Sequence, residues 1–271
     1  MPAECRDILV RRKRQAGSSL DRAAMAINDT SAWKKPDRFP NLADGQVHVW
    51  RIALTATADV EAELTGLLAA DERERAGRFV FEEHRWRFVV CRGKLRQILA
   101  NYLVESPASL RFCCEASGKP LLDGKNANEL SFNVAHAADL ALIAISRSGP
   151  VGVDVEAIRP LTADLWGLAQ EHFSPRERSE LMQIAEQDRL PAFFRGWTRK
   201  EAIIKADGRG LAAALDQIEV GLGEQIEPIA VEFPPDQAPR ATWRVWSLEP
   251  AAGFVGAVAV PHTIETVEYY C

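Results

Sequence analysis

Two short stretches carry side chains whose types and spacing suit them to chemistry. In "GPVGVDVEAIRP", Gly149 to Pro160, Val151, Val153 and Val155 recur at every second position between a Gly-Pro turn and a proline, which predicts a β-strand. Successive strand side chains point to opposite sides, so Asp154 and Glu156 share the other face with Gly152, a glycine where bulk would crowd them. In "WTRKEAIIKADGRGL", Trp197 to Leu211, Glu201 and Lys205 sit four residues apart on a predicted helix that ends at the Gly208 and Gly210 breakers. Three carboxylates from a strand and a helix are oxygen ligands of the kind Mg²⁺ prefers, with positions left for water and phosphate. Each feature alone has a plainer reading. The strand pair suits an edge strand guarded by charge, and the helix pair suits a solvated contact contributing roughly a few tenths of a kcal/mol. His136, in "FNVAHAADLALIAIS", is a third candidate, set against the common case of a lone histidine that is a satisfied core or surface residue.

The elements that must position these groups follow from periodicity. "VHVWRIAL", Val47 to Leu54, reads as a strand, and a helix follows from Thr57 to Ala70. Asp71 to Leu103 reads as one short helix and one long one, the latter burying Trp86, Val89, Val90, Leu95, Ile98 and Leu99 while its arginines project elsewhere. "RFCCEASGKPLL" gives a strand and a Gly-Lys-Pro turn, and "LSFNVAH" with "LALIAIS" gives a hairpin next to the Asp154 strand. Helices are expected at Asp164–Glu171, Pro175–Ala185 and Leu190–Ala206, and strands near Ile218–Leu222, Thr242–Leu248 and Phe254–Val260. "ERER" at Glu72 to Arg75 and "RER" at Arg176 to Arg178 each open a stretch leading to a helix rich in aromatics and arginines. The expected class is therefore α+β, a pseudo-dimer of two similar α/β halves, each a small, mainly antiparallel sheet packed with helices. Residues 1–45 are expected to be an irregular extension, 46–150 the N-terminal half, and 151–271 the C-terminal half carrying the metal site.

Composition bounds the partners. The chain has 271 residues, 47% hydrophobic and 26% charged, with a formal net charge of −5, so any phosphate-bearing ligand must be held by local basic residues and nucleic acid is disfavoured. Five cysteines, odd in number and without CxxC spacing, argue against a disulfide framework or a zinc site and suit a reducing cytoplasm. No apolar run approaches the roughly 18 residues of a membrane span. "RRKRQ" at Arg11 to Gln15 has no apolar segment after it and is not a secretory signal.

Taken together, G-V-D-V-E and W-T-R-K-E-A-I-I-K, preceded by G-K-P at Gly118 to Pro120 and F-N-V-A-H at Phe132 to His136, resemble the 4′-phosphopantetheinyl transferases of the Sfp (surfactin-synthetase-activating) type. That family's signature is (I/V)G(I/V)D(I/V)E followed by (F/W)(S/T/C)xKE(A/S)xxK. The resemblance spans approximately Leu68 to Leu211 with clear motifs, and Met1 to Gly45 has no counterpart. It implies that Asp154, Glu156 and Glu201 form a magnesium site facing the pyrophosphate of coenzyme A, with Lys205 on the phosphates beside it. It also implies that Arg75 and His136 grip the 3′-phosphate, and that Arg87 and Lys119 lie at nucleotide-binding positions. Where the family often has Ser-His-Ser this chain has Ala135-His136-Ala137, and Glu72 stands where the family has a second basic residue near Arg75.

The implied reaction is Mg²⁺-dependent attack of a serine hydroxyl of an apo acyl- or peptidyl-carrier protein on the β-phosphorus of coenzyme A, with 3′,5′-ADP as leaving group. Glu201 is the expected general base, directly or through a water, and Lys200 and Lys205 would offset leaving-group charge. The enzyme is expected to be a cytoplasmic monomer whose carrier could serve fatty-acid, polyketide or nonribosomal-peptide synthesis. Two rival readings remain at this point. A catalytically inactive coenzyme A or carrier-binding module would keep the fold while losing a ligand, and all the acidic positions are present. A generic Mg²⁺-dependent phosphotransfer enzyme would not require the K-E-x-x-x-K helix paired with G-V-D-V-E.

Overall fold

A computed structural model describes residues 33–115, 118–208, 215–224, 228–231 and 242–271. They fall into two compact units, divided between Val151 and Gly152 and again between His262 and Thr263. The first contains β1 (Gln46–Ala53), α1 (Ala58–Leu67), α2 (Ala70–Gly77), α3 (Glu82–Leu103), β2 (Phe112–Cys114), β3 (Pro120–Leu122), β4 (Ser131–Ala137) and β5 (Leu140–Ser146). The second contains β6 (Gly152–Ala157), α4 (Leu165–His172), α5 (Pro175–Gln183), α6 (Glu186–Asp207), β7 (Ile229–Val231), β8 (Trp243–Leu248) and β9 (Phe254–Pro261), after which β10 (Thr266–Tyr270) returns to the first unit.

The strand orders are β10-β1-β5-β4 and β6-β9-β8-β7, with β2 and β3 forming a separate antiparallel pair. In each four-stranded sheet the opening strand, β1 or β6, pairs antiparallel with β5 or β9, which pairs antiparallel with the strand just before it. A 22-residue helix, α3 or α6, separates the opening strand from that pair in sequence. The halves thus repeat one topology, and the fold is the expected α+β pseudo-dimer. Among the described residues, the one parallel ladder between strands joins β1 to β10. Within the first unit, Trp50 and Ile52 of β1, Ile143 and Ile145 of β5, and Leu64, Leu95 and Leu99 of the helices form one buried cluster. Burial of such side chains stabilises by roughly 1.5–3 kcal/mol each.

Several expectations need correction. The helix from Thr57 stops at Leu67, because Leu68 and Ala69 turn extended and Glu72 accepts the Ala69 amide at 2.8 Å to start a new helix. Arg96 on α3 does not project outward; it is 1% exposed and donates to Glu72 and to the carbonyls of Pro107 and Leu110. β6 does not join the β4–β5 hairpin but forms an edge of the second sheet. Residues 33–45 form no helix or strand, as expected, but they are packed rather than extended: Trp33 and Leu42 are buried, and Phe39 stacks on Trp50 with centroids 5.2 Å apart. Residues 1–32 lie outside the described residues. β10 belongs with the first half rather than the second, its register running from Gln46 opposite Thr266 to Trp50 opposite Tyr270. Residues 218–222 form no strand ladder.

Candidate active site

α6 covers the sheet face that bears Gly152, Val245, Ala257 and Ala259. A Cβ at Gly152 would stand 2.0 Å from the carbonyl oxygen of Ala202 and 2.4 Å from the amide nitrogen of Ala206. Glycine is needed there because strand and helix backbones touch, which differs from the expected role of making room for carboxylates. The next residue on that face, Asp154, is only 6% exposed. Its Oδ1 accepts from Lys205 Nζ, which lies within reach of the Val153 carbonyl as well. Glu201, one turn before Lys205, is 5% exposed, and Glu156 is half-buried.

This burial decides against the solvated alternatives. β6 is an edge strand, yet a carboxylate packed under α6 guards nothing in solvent, and a charge taken from water needs a partner. Lys205 is that partner. Among the described residues, Oδ2 of Asp154 and Oε1 of Glu201 are buried atoms with no hydrogen-bond donor, and both residues have further interactions. Among the described residues no three His, Cys, Asp or Glu side chains are gathered closely enough to hold a metal ion. The ammonium of Lys205 fills the place of counter-ion to Asp154 instead.

Lys200 departs from its expected role. It is 0% exposed, pairs with Glu177 at 2.7 Å, and donates to the carbonyls of Leu215, at 2.8 Å, and Ile218. Burial draws its ammonium below the usual lysine range while Glu177 pulls the other way. Such a group holds up the fold and does not reach a phosphate. Its neighbour Arg199, also 0% exposed, donates to the carbonyls of Val220, Gly221 and Gly223 and to Ser247 Oγ. Burial lowers the Arg199 pKa to about 10, which leaves it charged at neutral pH. Glu177 and Glu180 accept the amides of Val220 and Leu222. The alternation of Ile218, Val220 and Leu222 looks like a strand, but side chains of α5 and α6 satisfy its backbone. The signal for Glu177 was legible: Ser174-Pro175-Arg176-Glu177 is a capping box, with Ser174 Oγ accepting from the Glu177 amide and Glu177 from the Ser174 amide.

In the first unit, Arg75 of α2 is exposed, its guanidinium 5.2 Å from the Phe88 ring centroid. Arg87 donates through Nε to Asp139 at 2.9 Å and pairs with Glu83. Asp139 lies in the β4–β5 turn, next to the end of β4 where His136 is exposed. These contacts gather Arg75, Arg87 and the His136 end of β4 around the first turns of α3. Lys119 is tied elsewhere, donating to the Val151 carbonyl at 3.2 Å. Glu72 is no phosphate-facing residue. Burial by itself would push its carboxyl up, but hydrogen bonds from Arg96 and the Ala69 amide, with the Arg92 charge, hold it below the usual range.

A duplicated α+β chain joining G-V-D-V-E to the K-E-x-x-x-K helix has the two-halved fold of the phosphopantetheinyl transferases. Residues 56–148 match the family described as 4′-phosphopantetheinyl transferase, N-terminal, and residues 150–259 match the 4′-phosphopantetheinyl transferase superfamily. The 4′-phosphopantetheinyl transferase HetI of Nostoc sp. (strain PCC 7120) is 40% identical over 227 residues, covering 83% of this chain and 92% of the relative. The transferase ffp of Bacillus subtilis is 30% identical over 177 residues, 65% and 75% of the respective chains. Sfp of Bacillus subtilis (strain 168) is 26% identical over 195 residues, 72% and 83%. The chain belongs to the 4′-phosphopantetheinyl transferase family, and is an enzyme that moves the phosphopantetheine arm of coenzyme A to a carrier protein. No described helix is long and apolar enough to cross a membrane.

Proposed function

We propose that this transferase is of the Sfp type, depends on Mg²⁺, and works through Asp154, Glu156, Glu201 and Lys205. One observation carries the reading: Lys205 of the W-T-R-K-E-A-I-I-K helix reaches Asp154 of the G-V-D-V-E strand. Two motifs remote in sequence thus share one partly buried contact. The donor types suit Mg²⁺: although the described residues form no ready cluster of three ligands, Asp154, Glu156 and Glu201 offer hard oxygen atoms from two elements packed backbone to backbone at Gly152. When bound, the ion supplies charge neutralisation at the pyrophosphate.

The protein's own groups do the rest. Lys205 leaves Asp154 to hold a phosphate oxygen, and Glu201 takes the proton of the attacking serine hydroxyl as the bond to the β-phosphorus forms. The leaving group is 3′,5′-ADP. Arg75 and His136 hold the 3′-phosphate, and Arg87 and Lys119 contact the nucleotide, Arg87 exchanging its carboxylate partners for it and Lys119 leaving the Val151 carbonyl. Two repeated halves within one chain support a monomer, and the described cysteines, Cys91, Cys113, Cys114 and Cys271, being in no disulfide, support a cytoplasmic setting.

Incubation with coenzyme A, Mg²⁺ and a panel of apo acyl- and peptidyl-carrier proteins tests the reading by mass spectrometry. A carrier heavier by one phosphopantetheine arm, lost on chelation of Mg²⁺ and in Asp154→Asn, is the expected result. Transfer that persists in EDTA or in Asp154→Asn would refute the metal assignment.

A further inference from the structure

We propose that Arg199 and Ser247 are positioning residues that set the rotation of α6 and so aim Glu201 and Lys205 at β6. The inference rests on Glu201 and Lys205 being the reacting groups. Asp154 and Ser247 are both register partners of Ala257, so the three lie in one row across β6, β9 and β8, on the face that α6 covers. Strands in a sheet are about 4.8 Å apart, which puts Asp154 and Ser247 roughly 10 Å apart, close to the width of a helix. α6 is fastened to this row on both flanks. Lys205 bonds Asp154 on one side, and on the other Arg199 bonds Ser247 Oγ through Nε at 3.0 Å and Nη2 at 2.8 Å. Between the fastenings, Ala202 and Ala206 rest against Gly152.

One fastening would leave the helix free to roll; two on opposite flanks do not. A roll of about 20° moves a side-chain tip some 6 Å from the axis by about 2 Å, enough to spoil an aligned proton transfer. The two flanks also differ in fate. Lys205 and Asp154 are engaged by substrate, so their mutual bond is exchanged during turnover. Arg199 faces the carbonyls of Val220, Gly221 and Gly223 besides Ser247, and its bonds persist. It therefore holds the roll of α6 while the other flank is released. Arg199 occupies the unspecified position of the helix motif, so the motif alone gave no sign of it.

The test uses the full chain with coenzyme A, Mg²⁺ and an apo carrier, at a temperature where circular dichroism shows every variant folded. Ser247→Ala removes one acceptor and leaves Arg199 its carbonyls. It should lower kcat by about ten- to a hundred-fold with KM for coenzyme A little changed. Ser247→Thr restores the hydroxyl and should recover most of the rate. Wild-type kcat in Ser247→Ala, a loss confined to KM, or a loss that Ser247→Thr fails to relieve overturns the proposal. Glu201→Gln separates the two readings. If it turns over normally, the assignment of Glu201 fails and the inference falls with it; if it is dead while Ser247→Ala is unimpaired, only the positioning role fails.

Discussion

Gly152→Ala adds one methyl group at the point where β6 and α6 touch, and the structure sets the size of the effect. The new Cβ would lie 2.0 Å from Ala202 O and 2.4 Å from Ala206 N, whereas real Cβ contacts essentially never fall under 3.0 Å. Both obstacles are helix backbone, so no rotamer change relieves them. α6 must withdraw by about 1 Å, taking Glu201 and Lys205 away from Asp154. Overpacking of this kind costs about 1–3 kcal/mol. Against a total stability of about 5–15 kcal/mol the protein remains folded, with Tm lowered by roughly 3–10 °C. A displacement of about 1 Å at a reacting group costs on the order of a hundredfold in rate. Thermal unfolding and carrier modification, the latter run well below Tm, measure the two effects separately. Gly196→Ala is the comparison, since its Cβ would meet Leu222 Cδ2 at 2.3 Å and Phe173 Cζ at 3.1 Å, side-chain atoms that can move. It should lower Tm while sparing kcat. A Gly152→Ala enzyme with native Tm and kcat, or a Gly196→Ala enzyme equally slow, would refute the reasoning.

Three further outcomes are expected. Asp154→Asn leaves the Lys205 ammonium facing a neutral amide and should lower unfolding free energy by about 1–3 kcal/mol in denaturant titration while abolishing transfer; unchanged or increased stability would contradict the pairing. Lys200→Met strands Glu177 as a buried charge and should cost about 3–5 kcal/mol, much of it recovered in Lys200→Met/Glu177→Leu, and a selective rise in KM for coenzyme A would restore the phosphate-binding reading. Burial lowers the His48 pKa to about 4 from an ordinary 6.5, so between those values the unfolded chain binds more protons and stability falls as the solution is acidified through that window; Tm measured from pH 7 to pH 4 should fall less steeply in His48→Gln, and matching slopes would exclude the histidine.

What the sequence made legible was local. Val151, Val153 and Val155 gave β6, and Gly208 marked the end of α6 with a φ of 75°. Each signal acts within a few residues of itself. The parallel pairing of β10 with β1 joins Thr266 to Gln46, and nothing in "TVEYY" announces so distant a partner. Trp33, Phe39 and Leu42 lack periodicity, yet Phe39 and Leu42 join the side of β1 where Trp50 stacks on Tyr270, and Trp33 packs against Tyr269 and Arg51. Lys200 was misread for a related reason. Adjacent to Glu201 in sequence, it was expected to share that residue's work, but consecutive helix residues are about 100° apart and Lys200 faces Glu177 and the 215–223 segment. Arg75, Arg87 and His136 were read from motif positions alone. Their gathering at one end of α3 depends on Phe88 and Asp139, which no motif named.

The juxtaposed carboxylates of G-V-D-V-E are explained differently by sequence and by structure. From spacing, Asp154 and Glu156 look like charges that need an incoming cation to be tolerable. In the fold Asp154 already has one, because Lys205 is a counter-ion tethered to the chain. The arrangement makes one contact serve two states. Without ligands, the pair compensates the burial of both groups and pins α6 to β6. Under the proposed magnesium reading, a cation held by Asp154 would free Lys205 for a phosphate oxygen. Occupancy of either group's new partner would then favour occupancy of the other's, and linkage would make the favour mutual. Close approach at Gly152 keeps Lys205 within reach of Asp154, and Arg199 on the far flank keeps the helix from turning once that bond is exchanged. The glycine, the lysine and the arginine thus act on one variable, the setting of α6 against its sheet.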